Sequence, residues 1–152
     1  METSSCFINE ISVMYSKKLF TSKAIKTSAD AHLIAREIFE HTSSQIELKE
    51  YFFIILLNRA NEVIAFHKLS EGGICGTVVD IRLAFATALK SLATGIILLH
   101  NHPSGNLTAS QQDIATTKNF VAGGKLLELT VYDHLILTAS AYYSFADEGI
   151  LT

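Results

Sequence analysis

One proline, two cysteines and no tryptophan among 152 residues leave this chain with few of the usual structural staples. Cys6 and Cys75 form no CxxC pair, so neither a disulfide framework nor a Cys-rich zinc ribbon is available, and a reducing cytoplasm is the expected compartment. Charge is scarce as well: 18% of residues are charged, against about 25% in an ordinary domain. Twelve Lys/Arg against fifteen Asp/Glu give a net charge of −3 and a pI near 6.0. That balance excludes a whole-protein field that gathers phosphates. Long apolar runs are missing too. Tyr51 to Leu57 and Gly95 to Leu99 are strand-sized, far below the roughly 18 residues of a membrane span. The opening METSSCFINE has no basic stretch leading into an apolar one, so no signal peptide is expected.

What is present is a core. Hydrophobic residues make up 49% of the chain, and a domain of this length buries roughly 68–70% of the surface of its unfolded chain, which excludes intrinsic disorder. The segment 1–27 reads as a strand over Phe7 to Tyr15 followed by a basic stretch of Lys17, Lys18, Lys23 and Lys26, either a solvated face or a nucleic-acid arm. The remainder, 28–152, reads as one domain. Thr27-Ser28 offers caps for a helix with Ala31, Ile34, Ala35 and Ile38 inward. Tyr51 to Leu57 suits a strand buried on both faces, and Asn58 to Asn61 turns it into a second strand, Val63 to Leu69. Asp80 caps a helix with Ile81, Phe85, Ala88, Leu89 and Leu92 on one face. Gly95 to Leu99 is a short buried strand. A helix from Ser110 to Val121, with Ile114, Thr117 and Val121 inward, is expected to stop at Gly123-Gly124. Short strands come next at Leu127–Val131, His134–Leu137 and Tyr142–Phe145. This order predicts a mixed α/β or α+β layer fold around one sheet flanked by helices.

Chemistry concentrates in one stretch. Residues two apart at a strand end point to the same side, so His100 and His102 can present both imidazoles to one point. Pro103 holds His102 extended and ends the pairing. Gly105 lets the loop turn toward Asp113 in the first turn of the next helix. Two imidazoles and one carboxylate, with a fourth position open, are the ligand set of a catalytic zinc site. Asp113 is equally legible as a helix-start carboxylate and Ser110 as the cap in Ser110-x-x-Asp113, with Thr108-x-x-Gln111 a second capping pattern.

His100, His102, Pro103, Ser110 and Asp113 together resemble the metal-binding motif of the JAB/MPN (JAMM) metallohydrolases. The fuller stretch HNHPSGNLTASQQD, with Asp133-His134 and the later Tyr143 to Gly149, resembles the RadC family within that group, over residues 28–150. The resemblance implies a cytidine-deaminase-like fold and one zinc ion on His100, His102 and Asp113. It further implies Glu50 as general acid/base, with Glu47 as the fallback, and Ser110 as oxyanion donor or as a group that helps fix the water. Its reaction class is hydrolysis of a peptide, isopeptide or other amide bond; eukaryotic and archaeal members of the wider group cleave isopeptide bonds to ubiquitin-like tails. Many RadC-like proteins carry an N-terminal helix-hairpin-helix region that binds DNA, and residues 1–27 show no such pattern, so the family's historical label of DNA repair finds little support here. A binding module that reuses the fold without catalysis, or a DNA-associated protein, are the competing readings. Deaminase chemistry is excluded because its HxE and PCxxC pattern is absent. Three further residues stay open: His134 as a contact behind the ligands, Cys75 as a neighbour of the site, and Arg82 as a substrate-facing cation or the partner of Asp80.

Overall fold

The computed structural model describes residues 9–72 and 77–151. Among the described residues, eight elements run in the order α1 (Ser28–His41), β1 (Tyr51–Leu57), β2 (Val63–Glu71), α2 (Ile81–Lys90), β3 (Gly95–Asn101), α3 (Gln111–Leu126), β4 (Thr130–Leu137) and β5 (Tyr142–Ser144). The strands form one sheet in the order β2-β1-β3-β4-β5, with β3 and β4 parallel and every other pair antiparallel. This is a mixed α/β sheet, as the element order predicts, and it is consistent with the JAB/MPN fold that the resemblance implies.

The central strands β1 and β3 are buried along their whole length, which is why both read as continuous apolar runs. Their side chains divide by alternation. Phe53, Ile55, Leu57, Ile97 and Leu99 face α1, packing against Ala31, Ile34, Ala35 and Ile38. Phe52, Ile54, Leu56, Ile96 and Leu98 face α2 and α3, meeting Ala84, Phe85, Ala88 and Phe120. The result is three layers, with one helix on one face of the sheet and two on the other. Thr27 caps α1 in a capping box with Asp30, and the Asp80 carboxylate caps α2. Ile25 is buried against α1, and the Lys23 carbonyl accepts the Val63 N–H, so this stretch lies along the start of β2.

Several local expectations need correction. Residues 9–15 form no strand; Phe7 and Ile8 lie outside the described residues. On α2 the burial falls on Ala84, Phe85 and Ala88, while Leu89 is exposed and Leu92, past the helix end, is exposed as well. Along α3, Thr117, Phe120 and Gly124 are the buried residues, and Ile114 and Val121 are only half-buried. Gly123 and Gly124 do not stop α3, which continues to Leu126. A Cβ on Gly123 would lie 2.6 Å from Cε2 of Phe85, and one on Gly124 would collide with the Leu129 carbonyl oxygen. The pair marks close packing of α3 against its neighbours, and Glu128, at φ 56°, makes the left-handed turn instead.

The stretches 127–131 and 134–137, expected as two strands, are one strand from Thr130 with an irregularity inside it. Ile96 pairs with Val131 but Ile97 pairs with Asp133, so Tyr132 is an extra residue that projects outward. The insertion reverses the facing of every later residue in the strand. Val131 and His134 face α3, and Asp133 faces the α1 side. That places His134 behind the end of β3.

Candidate metal centre

His100 is the penultimate residue of β3, on the α3 side of the sheet where its ring stacks on Phe52 at 5.7 Å between centroids. His102 sits just past the strand end, with its N–H bonded to the Leu137 carbonyl. Asp113 stands in the first turn of α3, which Ser110 caps. The three ligand-bearing side chains converge: one donor atom from each lies within 4.8 Å of the others. His100 Nε2 is 3.0 Å from His102 Nε2 and 3.2 Å from Asp113 Oδ1, and His102 Nε2 is 3.5 Å from Asp113 Oδ2.

The hydrogen-bond directions show what this cluster can accept. His102 Nδ1 lies 2.6 Å from the Asn106 carbonyl oxygen, which can only accept, so Nδ1 carries the proton and neutral His102 presents a bare Nε2. Asp113 Oδ2 accepts the Ser110 N–H and hydroxyl, each at 2.7 Å, and Oδ1 is left facing His100. The His102 lone pair and a carboxylate oxygen therefore both face His100 Nε2, a set of donor atoms that fits a cation. The electrostatics agree. Burial pushes the Asp113 carboxyl up, but the imidazoles of His100 and His102 facing it outweigh that and hold the group well below the usual carboxylate range. The Asp113 carboxylate in turn raises His102 above an ordinary imidazole, against the effect of burial.

Glu50 immediately precedes β1, and Phe52 pairs with His100 across the β1–β3 ladder. Continuing that antiparallel register sets Glu50 opposite His102, with its side chain on the same face. Burial raises its carboxyl, the two histidines partly offset the rise, and Asp113 adds to it. Glu50 is half-buried, whereas Glu47 is exposed on the preceding turn.

One residue escapes a reading of the sequence. Asn101 lies between the histidines but on the opposite face, fully buried. Its Nδ2 donates to the carbonyls of Ile46 and Lys49, both at 2.7 Å, and its Oδ1 accepts the Tyr51 N–H at 2.8 Å. A polar residue in the apolar β3 run was the available signal, since a buried amide needs partners.

The RadC-like JAB domain model matches 25–150, nearly the whole chain. The chain belongs to the RadC family. Among its relatives, a UPF0758 protein of Flavobacterium johnsoniae is 46% identical over 128 residues, covering 84% of this chain and 54% of the relative. UPF0758 proteins of Alkaliphilus metalliredigens and Porphyromonas gingivalis are 44% and 43% identical, covering 68% of this chain and 44% and 46% of theirs. The chain thus spans about half the length of the curated relatives it matches.

Of the other candidate residues, His134 lies in the site's rear wall, with Nε2 2.8 Å from His100 Nδ1. Arg82 is exposed and pairs with Asp80 at 2.9 Å, the simpler of its two readings. Cys75 lies outside the described residues. Among the described residues, no helix is long and apolar enough to cross a membrane.

Proposed function

We propose that this RadC chain is a zinc-dependent hydrolase that cleaves an amide bond in a peptide or isopeptide. The reading is carried by one observation: two imidazole nitrogens and one carboxylate oxygen converge next to a half-buried glutamate. Zinc bound there would polarise a carbonyl and bring the pKa of a water toward about 7. The chain's own residues supply the rest. Glu50, whose proton affinity burial raises, takes the proton that the attacking water loses and delivers it to the departing amine. His100 is buried while Ser110 is exposed, so substrate enters from the Ser110 side. The Ser110 hydroxyl is bonded to Asp113 Oδ2 at rest. Rotated away, it donates to the developing oxyanion while the Ser110 N–H keeps Asp113 in place.

Metal content decides first. Elemental analysis of tag-free protein is expected to give about one zinc per chain, the ratio set by a single three-ligand site, and its loss in His102→Ala. No metal in the parent after zinc is supplied overturns the reading. With metal established, Glu50→Gln is expected to retain zinc and lose turnover on peptide and isopeptide substrates. Turnover within a few-fold of the parent removes Glu50 as the base. Salt-sensitive duplex binding at low-micromolar affinity would favour a DNA-associated protein instead.

A further inference from the structure

Behind the three ligands, on the side away from solvent, lies a chain of side chains that the proposed chemistry does not use. It begins at the backbone carbonyl of Asp113. The Thr117 hydroxyl, one turn along α3, donates to that carbonyl at 2.7 Å. Its single proton is committed there, so the 2.6 Å contact between Thr117 Oγ1 and His134 Nδ1 has the imidazole N–H as donor. His134 has no exposed surface and lies between aromatic rings, stacked on Phe145 at 4.7 Å between centroids and tilted against Phe52 at 5.5 Å. A ring so enclosed, with no carboxylate bonded to either nitrogen, is neutral. Its Nε2 is therefore a lone pair, and the 2.8 Å contact to His100 Nδ1 is a bond that His100 donates.

We propose that His134 is a positioning residue that fixes His100 as the Nδ1–H tautomer, turning a bare Nε2 toward the metal. The inference rests on the metal-site reading and adds a residue to it. Every donor direction is fixed by the one before, starting at a carbonyl that can only accept. That carbonyl belongs to Asp113, whose carboxylate is the third ligand. The residue that supplies the anion thus also sets, through Thr117 and His134, the protonation pattern of the nitrogen facing it. The Tyr132 bulge makes this possible, because without the extra residue His134 would point to the α1 side of the sheet. A hydrogen-bond partner on the far nitrogen of a ligating imidazole orients the ring, and its loss typically costs about 10–100-fold in metal affinity.

The test needs no substrate. Zinc affinity would be measured by chelator competition on the parent, His134→Leu, His134→Gln and Thr117→Val. Leucine leaves the His100 N–H without an acceptor, and affinity is expected to fall by about 10–100-fold. Glutamine places an amide oxygen near the position of Nε2 and is expected to restore most of the loss. Thr117→Val keeps the shape, removes only the hydroxyl, and is expected to weaken binding with the fold intact. Nitrogen-15 NMR of the metal-free parent in slightly alkaline buffer reads the tautomer directly, with His100 protonated on Nδ1 and His134 on Nδ1. His100 protonated on Nε2, or parent-like zinc affinity in His134→Leu, overturns the proposal. A parent that takes up no zinc overturns the functional reading instead, and the NMR result still decides the tautomer.

Discussion

Asn101 holds the backbone on both sides of Glu50. Its amide donates to the Lys49 carbonyl and accepts the Tyr51 N–H, so the proposed acid/base hangs from the residue between the two histidines. One strand end therefore carries two of the proposed ligands on one face and, on the other, the clamp that sets the distance to Glu50. Asn101→Ala leaves the Tyr51 N–H and two carbonyls without their partner, and buried orphan groups cost about 1–3 kcal/mol each. The expected loss is on the order of 3 kcal/mol in urea unfolding, with zinc binding retained because the ligands lie on the opposite face. Loss below about 1 kcal/mol would show that water or local rearrangement replaces the clamp.

Metal binding should be visible as stability. A ligand that binds only the native state adds about 2.7 kcal/mol at a concentration 100 times its Kd. Thermal unfolding of the parent is expected to move up on addition of zinc and return with chelator. His102→Ala should be insensitive to both. An equal response in the variant would place the ion elsewhere.

The helical glycines invert an ordinary rule. Alanine in place of glycine inside a helix normally stabilises it by about 1 kcal/mol. Gly124→Ala would instead press a methyl into the Leu129 carbonyl, a backbone atom with little room to yield. Chemical denaturation is expected to show a net loss of about 1–3 kcal/mol, the usual cost of overpacking. A gain would mean that the 127–129 turn shifts freely.

Asp133 gives a pH signature away from the ligands. Burial raises its carboxyl, although Ser144 and the N–H groups of Ala146 and His134 partly offset this by hydrogen bonding to it. A raised folded-state pKa favours the native state at low pH, and that contribution is lost as pH rises through it. Asp133→Asn keeps acceptors for the two N–H groups and lets the Ser144 hydroxyl accept from the new amide. The variant's stability relative to the parent is expected to be highest at neutral pH and to decline on acidification. A relative stability that climbs on acidification would reverse the sign and refute the assignment.

The fold was legible where burial is total and obscure where one residue changes parity. Tyr51 to Leu57 and Gly95 to Leu99 announce central strands because both faces are apolar. The His100, His102 and Asp113 cluster was legible because a strand end, a loop and a capped helix turn succeed one another in fixed order. The Tyr132 bulge was visible only as a gap between two short apolar runs, since a register shift arises from pairing with β3 rather than from local sequence. Gly123-Gly124 misled because glycine serves equally for a helix stop and for close approach of neighbouring elements. Asn101 and Thr117 act through partners distant in the chain, which spacing within one segment does not reveal.

The capping box of α3 has a consequence for ion selectivity. Asp113 Oδ2 is occupied by the Ser110 N–H and hydroxyl, which leaves Oδ1 as the oxygen free for coordination. The carboxylate is thus restricted to one-oxygen ligation beside two imidazoles. Calcium, which takes 6–8 oxygen ligands and often a two-oxygen carboxylate, is poorly served by such a site. A small ion content with four ligands and tolerant of nitrogen is well served. A motif that starts a helix here would, at the proposed site, also favour one class of metal over another.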